Sequence, residues 1–381
     1  MSRYTPPPYE SHIPPPDLGR LWTDFSSSWA RWYGLVEQVT DFSRIGPSSL
    51  KISTDTTPEN GTSAARLRST KLRLAGIDSM TIRFYVQDIT LLSKLEIRFS
   101  SVDGMTTYLG WSLSRWKMSR GWNEVMVPIK SLTANGAESI DNTMVSIQVS
   151  VTGTGGAIVF DSIYVNRPSK AAVIFRFDDG WTTQYTKAFP ILKSYGYVGT
   201  VGVISNYVGT TGYATLAQLL ELQSFGWEIF NHTANHPDLT TIDPGLIRSE
   251  IDGCRQWMNQ NGFRSASDIV AYPYGSFNQD VLTAMKGYRL GLSTQAELEL
   301  APPVSPLTLK TLTINNDTEN SVYEATVNQA VETGSTLIIL LHRIEDSGTD
   351  DMIYHTDRFA AMVDFIAGKS IEVSTFSEWL L

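Results

Sequence analysis

The 381-residue sequence holds a single cysteine, Cys254. One thiol cannot close an internal disulfide, and a cysteine-rich zinc site is excluded. No stretch approaches the roughly 18 apolar residues that a membrane-crossing helix requires. Basic runs are missing too: 30 Lys and Arg stand against 39 Asp and Glu, a formal net charge of −9. That acidity argues against a nucleic-acid partner. Charged residues make up only 18% of the chain and hydrophobic residues 42%, the balance of a soluble globular protein with enough length for two ordinary domains. Residues 1–20 lack the apolar centre of a secretory signal and are rich in proline, so they are expected to form an extended tail outside any packed core.

From Leu21 to about Arg167, helical spacing is what the sequence lacks. Ser79–Val86, Lys94–Phe99, Asn123–Val127, Val145–Val151 and Ala157–Val165 instead place apolar residues at every second position, the mark of strands with one buried face. Clusters such as Thr152-Gly-Thr-Gly-Gly156 separate them, and the pattern predicts a β-sandwich over residues 21–167. Beyond the Asn166-Arg-Pro-Ser-Lys170 break the period changes. Apolar runs at 171–177, 199–204, 227–230, 269–272, 336–341 and 371–375 alternate with amphipathic stretches near 182–195, 215–224, 244–261, 279–286, 322–332 and 357–366. Repeated β-then-α units predict parallel strands covered by helices, here a barrel over residues 168–381.

In such folds the chemistry gathers at the C-terminal ends of the strands, and four predicted strand ends carry suitable groups. Asp178 and Asp179 follow the first run. Adjacent buried carboxylates repel, and a bound cation relieves them; a plain Asp-Asp-Gly turn capping the next helix is the alternative. His232 and His236 follow the third, four residues apart, a spacing that on a helical turn puts both imidazoles on one side. With one Asp they would give three ligands and leave a position open; a pair of surface or capping histidines is the alternative. Ala271-Tyr272-Pro273-Tyr274-Gly275 ends the fourth run and can aim backbone N–H groups at a developing oxyanion, or be an ordinary turn. His342 ends the apolar run Leu337–Leu341 and points either to the same mouth or into the core.

Taken in order, Phe177–Gly180, His232–His236, Tyr272–Gly275 and Leu340–His342 resemble the motifs of the polysaccharide deacetylase family, the NodB-homology or carbohydrate esterase family 4 proteins. The resemblance spans about residues 170–381. It implies a distorted (β/α)7 barrel that removes acetyl groups, mostly N-acetyl groups of amino sugars, from an acetylated polysaccharide or oligosaccharide. It also implies a divalent metal, zinc first and cobalt or nickel as alternatives, held by Asp179, His232 and His236. Asp178 would be the general base toward a metal-activated water, His342 the general acid, and the Tyr274 N–H an oxyanion donor. The arginine that opens the family's third motif is replaced by Ala271, for which Arg176, on the same strand face as Asp178, is a candidate substitute. The fourth motif is not recognisable in 287–297, which leaves Asp317 and Asp346 as candidate partners of His342.

Residues 121–128 and 158–165 look like the later strands of a jelly-roll carbohydrate-binding module. That resemblance makes Trp111, Trp116 and Trp122, with Tyr108, candidates for stacking on sugar rings, and Asp161 a candidate ligand of a structural calcium. An O-acetyl esterase using the same centre and an inactive carbohydrate-binding or virion structural protein are the competing readings. A polysaccharide substrate would place the chain outside the cell, at a cell surface or on a virion. Oligomeric state is not legible.

Overall fold

The computed structural model describes residues 20–25, 29–40, 47–56, 61–118, 120–166, 170–294, 298–301, 303 and 305–380. The expected proline-rich tail lies, apart from Arg20, outside these residues. The chain divides into two compact units between positions 168 and 169.

The first unit is built from two antiparallel sheets. One runs β3 (Leu35–Val39), β4 (Ser49–Ser53), β12 (Ala157–Val165), β6 (Ser79–Val86), β9 (Gly121–Pro128), with β1 (Arg20–Thr23) also paired to β12. The other runs β10 (Thr133–Asn135), β8 (Tyr108–Ser114), β7 (Leu92–Ser100), β11 (Thr143–Gly153), β5 (Thr62–Arg73), β2 (Trp29–Tyr33). Alternation decides which side chains meet. Ile82, Phe84, Ile158 and Phe160 of the first sheet share one apolar cluster with Ile97, Phe99, Ile147 and Val149 of the second. The five strands expected from period-two runs are all present. Seven more are present among the described residues. β5 breaks the alternation with its arginines and alanines, whereas β4 and β8 do alternate, with Leu50 and Ile52 and with Leu109, Trp111 and Leu113 facing the core, and went unread because they are short or carry glycine and serine.

The second unit is an eight-stranded sheet in the order β17 (Leu290–Leu292), β16 (Ala266–Ala271), β15 (Glu228–Asn231), β14 (Thr200–Val203), β13 (Ala172–Phe177), β19 (Thr336–Leu341), β18 (Leu312–Thr313), with β22 (Glu372–Val373) beside β13. The pairings are parallel. The two edges approach each other: Leu309 N donates to Gly291 O at 2.8 Å and Ser293 N to Leu309 O at 2.9 Å, while Leu312 and Thr313 pair with β19. A short parallel pair, β20 (Arg343–Glu345) with β21 (Ile353–His355), follows β19.

Helices α1 (Phe189–Ser194), α2 (Leu216–Ser224), α3 (Pro244–Gln260), α4 (Gln279–Ala284), α5 (Asn320–Thr333), α6 (Thr356–Ala367) and α7 (Phe376–Trp379) connect the strands. Their ends are written in the sequence. Thr215 and Gln218 form a capping box at α2. Asp243 caps α3 ahead of Pro244, and Gly334 ends α5 in the left-handed region at φ 63°. β13 is apolar on both faces because both are buried. Val173, Phe175 and Phe177 pack with Leu337, Ile339 and Leu341 under helical residues such as Phe359 and Val363. Ala172 and Ile174 point the other way, into a cluster with Phe230, Ile269, Leu292, Leu309 and Ile338. Continuing that inward set by twos brings up Arg176 on β13, Asp178 directly after it, His232 after β15 and His342 after β19.

Candidate metal centre

Asp179 Oδ1 lies 3.3 Å from His232 Nε2 and 3.4 Å from His236 Nε2, and the two imidazole nitrogens are 3.1 Å apart. Asp179, His232 and His236 are the one group of three such side chains close enough to share an ion among the described residues. Three ligands held tetrahedrally at zinc bond lengths would sit roughly 3.3–3.6 Å from one another, so the trio fits a divalent cation. The tautomer agrees. His232 Nδ1–H donates to Ala271 O at 3.0 Å, which leaves the Nε2 lone pair facing the triad. With that proton on Nδ1, His232 closes the trio either as an imidazolium donating from Nε2 to Asp179, a state its carboxylate neighbours favour by raising its pKa, or, once neutral, with its Nε2 lone pair offered to a cation.

The histidines do not meet on a helical turn, as their spacing suggested. Residues 232–239 are loop, and the rings are brought together by Thr233 at φ 68° and His236 at φ 61°. Asn231 and Thr233 hold this shape. Thr233 N donates to Asn231 Oδ1 at 2.9 Å, Asn231 Nδ2 to Ile251 O at 2.9 Å, and His236 N to Thr233 Oγ1 at 3.0 Å. Asp179 (φ 73°) and Tyr274 (φ 59°) are also left-handed, so four of the seven non-glycine residues with positive φ among the described residues sit at this site. Each costs about 1–2 kcal/mol, and such strain concentrates where geometry is held for function.

Burial would raise the Asp178 pKa, but the charges of Arg176 and His232 outweigh it and hold the carboxyl below its ordinary range. Arg176 donates from Nε to Oδ1 at 2.8 Å and from Nη2 to Oδ2 at 2.5 Å, a two-pronged grip on the carboxylate. Its Nη1 donates to Ser293 O at 2.8 Å and Thr311 Oγ1 at 3.1 Å, across to the edge strands. Asp178 Oδ2 is 3.9 Å from His232 Nε2, beside the triad rather than in it. Asp179 is likewise held low: the His232 hydrogen bond and charge, with the charge of His342, overcome its burial. Burial and then the neighbouring His232 push His236 down to about 4, which keeps that imidazole neutral. Burial also lowers His342, against the pull of Asp178 and Asp179.

Supporting residues emerged that apolar period and ligand spacing do not flag. Trp181 Nε1 donates to Asp179 Oδ2 at 2.9 Å, so the carboxylate is fixed with Oδ1 toward the histidines. Trp181→Phe should weaken zinc binding about 10–100-fold, measured by chelator competition; unchanged affinity would remove the indole from the centre. Gln184 Nε2 donates to Asp178 O at 2.6 Å and His342 O at 2.9 Å, tying two strand ends together. Gly202 lies beneath. A Cβ there would stand 2.5 Å from the Phe230 ring and 3.3 Å from Asp178 Oδ1. Tyr274 is 68% exposed, with its ring 4.9 Å from that of His236.

Other expected residues fall elsewhere. Asp346 is exposed and its carboxylate accepts from Lys187 at 2.6 Å, so it is engaged away from His342. Asp317 is an exposed residue of the turn after β18, its N–H donating to Asn315 Oδ1. Residues 295–297 of the fourth-motif window lie outside the described residues. Trp122 is buried against Tyr85 on the face of its sheet away from the apolar cluster, and Trp111 packs on the cluster between the two sheets. Only Trp116 of the three is open, 74% exposed under Arg115. Asp161 is fully buried and accepts from Ser162 Oγ at 3.0 Å and Ser49 Oγ at 3.5 Å; it has no place in a cation-ligand group among the described residues.

Residues 165–292 match the family model described as polysaccharide deacetylase. Over 131 residues, 34% of this chain and 47% of the relative, the sequence is 33% identical to the putative polysaccharide deacetylase YxkH of Bacillus subtilis. Over 164 residues, 39% of this chain and 56% of the relative, it is 29% identical to the poly-beta-1,6-N-acetyl-D-glucosamine N-deacetylase of Staphylococcus epidermidis. The chain thus spans about half the length of the curated relatives it matches. Among solved structures, the Streptococcus pyogenes deacetylase PplD in complex with acetate is similar at 27% identity over 42% of this chain and 73% of that one, with a TM-score of 0.37.

Proposed function

We propose that the C-terminal unit, whose polysaccharide deacetylase domain is matched over residues 165–292, is a metal-dependent hydrolase that removes acetyl groups from a polysaccharide, N-acetyl groups of amino sugars first. The fold that accompanies this reading is a distorted (β/α) barrel over 168–381, its sheet having eight strands among the described residues where seven were expected, preceded by a jelly-roll-like sandwich over 21–167. One observation carries the function: Asp179, His232 and His236 present three converging lone pairs beside a second, separately held carboxylate, Asp178.

Those three residues would hold the ion. Two nitrogens and one carboxylate oxygen suit zinc, and cobalt or nickel accept the same set. When bound, such an ion polarises the acetyl carbonyl and lowers the pKa of water. Asp178, kept ionised and fixed by Arg176, takes the proton from the attacking water. The Tyr274 N–H, held at a strained turn, donates to the oxygen on which charge develops. His342 delivers a proton to the departing nitrogen. Burial lowers the pKa of the His342 ring against the pull of Asp178 and Asp179, and the proton it gives up is replaced by the one that Asp178 has taken from water, so both groups end as they began. The products are acetate and a free amine. A polymeric substrate of this kind places the protein outside the cell, on a surface or on a virion; among the described residues no helix is long and apolar enough to cross a membrane.

Metal analysis of purified protein combined with an acetate-release screen tests the reading. One equivalent of metal and acetate from N-acetylated chitooligosaccharides are expected. Acetate from acetylated xylan alone would move the assignment to ester hydrolysis, and metal-free, inactive protein would overturn it. Removing residues 1–167 should lower activity on polymers while sparing short oligosaccharides, because a tethered binding unit raises local substrate concentration. Equal loss on both substrates would make the first unit a stabiliser instead.

A further inference from the structure

The outer face of the second sheet in the N-terminal unit is not what a solvent-facing sheet surface needs. Inward positions of β5, β7 and β11 carry Ala65, Leu95, Ile97, Phe99, Ile147 and Val149. The alternate, outward positions place Arg66, Gln148 and Arg98 side by side, with Gln148 in register with both arginines. Arg66 is only 3% exposed. It donates to Asp103 O at 2.8 Å and to Gln148 Oε1 at 2.9 Å, both neutral oxygens. Its Nε has no hydrogen-bond partner among the described residues, nor have Arg98 Nε and Ser146 Oγ on neighbouring strands of the same face. The hydrogen bonds of the Arg66 guanidinium go to neutral acceptors, so the carboxylate of Asp103 acts on it only at a distance and offsets part of its desolvation. Burial, and then the nearby charge of Arg68, accordingly pulls its pKa below the ordinary value.

Aromatic rings flank the row at both ends. The Arg66 guanidinium lies 3.6 Å from the centroid of Trp32, with Arg68 at 4.7 Å, and Arg98 lies 4.3 Å from that of Tyr108. Four basic side chains, Arg66, Arg68, Lys94 and Arg98, face two acidic ones. Glu96 accepts from Arg98 at 2.9 Å, and Asp103 lies 3.4 Å from Arg68. A positive, ring-flanked strip on a chain of net charge −9 has the complementarity of an anion site, and guanidinium forks match carboxylate and phosphate oxygens.

We propose that this face, where Arg68, Lys94 and Arg98 are accessible between Trp32 and Tyr108 and are backed by the buried Arg66 and Gln148, binds an anionic polysaccharide through its carboxylate or phosphate groups. The site is separate from the metal centre and does not depend on the deacetylase reading. It also relocates sugar binding from Trp111 and Trp122, which are packed away, to residues that the apolar pattern does not single out.

Affinity electrophoresis of the full-length protein in gels containing a polyuronate, a phosphodiester-linked glycan or a neutral glucan tests it. Retardation by one of the two anionic polymers but not by the glucan is expected, and the polymer that retards identifies the anion. Arg98→Gln should weaken binding at least about tenfold, the effect of losing one charged hydrogen-bonding partner, and Trp32→Ala should weaken it too by removing a ring surface for the sugar, while acetate release from a short oligosaccharide stays unchanged. Arg68→Gln, at a half-exposed side chain, provides a variant whose folding is not at stake and should also weaken binding. No retardation by either anionic polymer, equal retardation by the glucan, or retardation undiminished in all three variants would overturn the proposal.

Discussion

Asp179→Asn is expected to take zinc binding from stoichiometric to background and to abolish acetate release, while leaving the fold intact. Asparagine is the informative replacement because position 179 has φ 73°, a conformation Asn tolerates better than Ala. It also keeps an oxygen for the Trp181 indole. What it removes is the one anionic ligand, so two imidazoles are left to hold a dication alone. Asp178→Asn is the contrast. That carboxylate lies 3.9 Å from His232 Nε2, outside the triad, and is turned to Arg176, so zinc should remain while turnover falls about 10²–10⁴-fold, the usual contribution of a general base. Metal content by mass spectrometry and acetate release by coupled assay read out both. Full zinc occupancy in Asp179→Asn would sink the ligand assignment, and loss of zinc in Asp178→Asn would erase the division of labour between adjacent carboxylates.

The residues of this centre were legible because their chemistry is rare and falls at strand ends. Asp178, Asp179, His232 and His342 stand directly after apolar runs that read as strands, and period two carries three of them inward. What sequence could not supply was the means of convergence. The four-residue spacing of His232 and His236 suggested a helical turn, whereas left-handed Thr233 and His236 within a loop bring the rings together; a backbone conformation adopted against propensity leaves no trace in a hydrophobic pattern. Trp181, Gln184 and Gly202 were missed because none belongs to a ligand type: Gln184 acts through backbone carbonyls and Gly202 by leaving room for Phe230 and Asp178, while Trp181 holds its near neighbour Asp179 through an indole N–H that no spacing rule marks. In the N-terminal unit, strands with alternating valine, isoleucine and phenylalanine were found. The arginine-bearing β5 was not, although its outward face is the most unusual surface there. Aromatic identity misled as well, since Trp111 packs inward and Trp122 is buried against Tyr85 on the other face of its sheet, whereas Trp32, in a short strand with little alternation, is 42% exposed.

Arg176→Ala should be costly in two separable ways. The wild-type side chain is fully buried, grips both oxygens of Asp178 and reaches Ser293 and Thr311 near the opposite sheet edge. Truncation leaves a buried carboxylate without its cation, a loss of about 3–5 kcal/mol for pairs of this kind. The sign with pH follows from the lowered Asp178 pKa. A carboxyl held lower in the folded than in the unfolded chain contributes stability above its unfolded pKa, and loses it as pH falls through the folded one. The gap between wild type and variant in chemical denaturation should therefore be widest near neutral pH and close in acid. The second effect is catalytic. Without the guanidinium, burial is the dominant influence left and the Asp178 pKa rises, so a smaller fraction is ionised and the acid limb of the rate profile moves to higher pH. Turnover at neutral pH should fall roughly 100-fold or more, within the range of a lost general base, with much less change in zinc affinity because Asp179, His232 and His236 are untouched. Arg176→Lys, which keeps the charge but cannot span Asp178, Ser293 and Thr311 together, should fall between the two. Turnover equal to wild type in Arg176→Ala would mean that the arginine only braces the sheet, and that the base is held by something else.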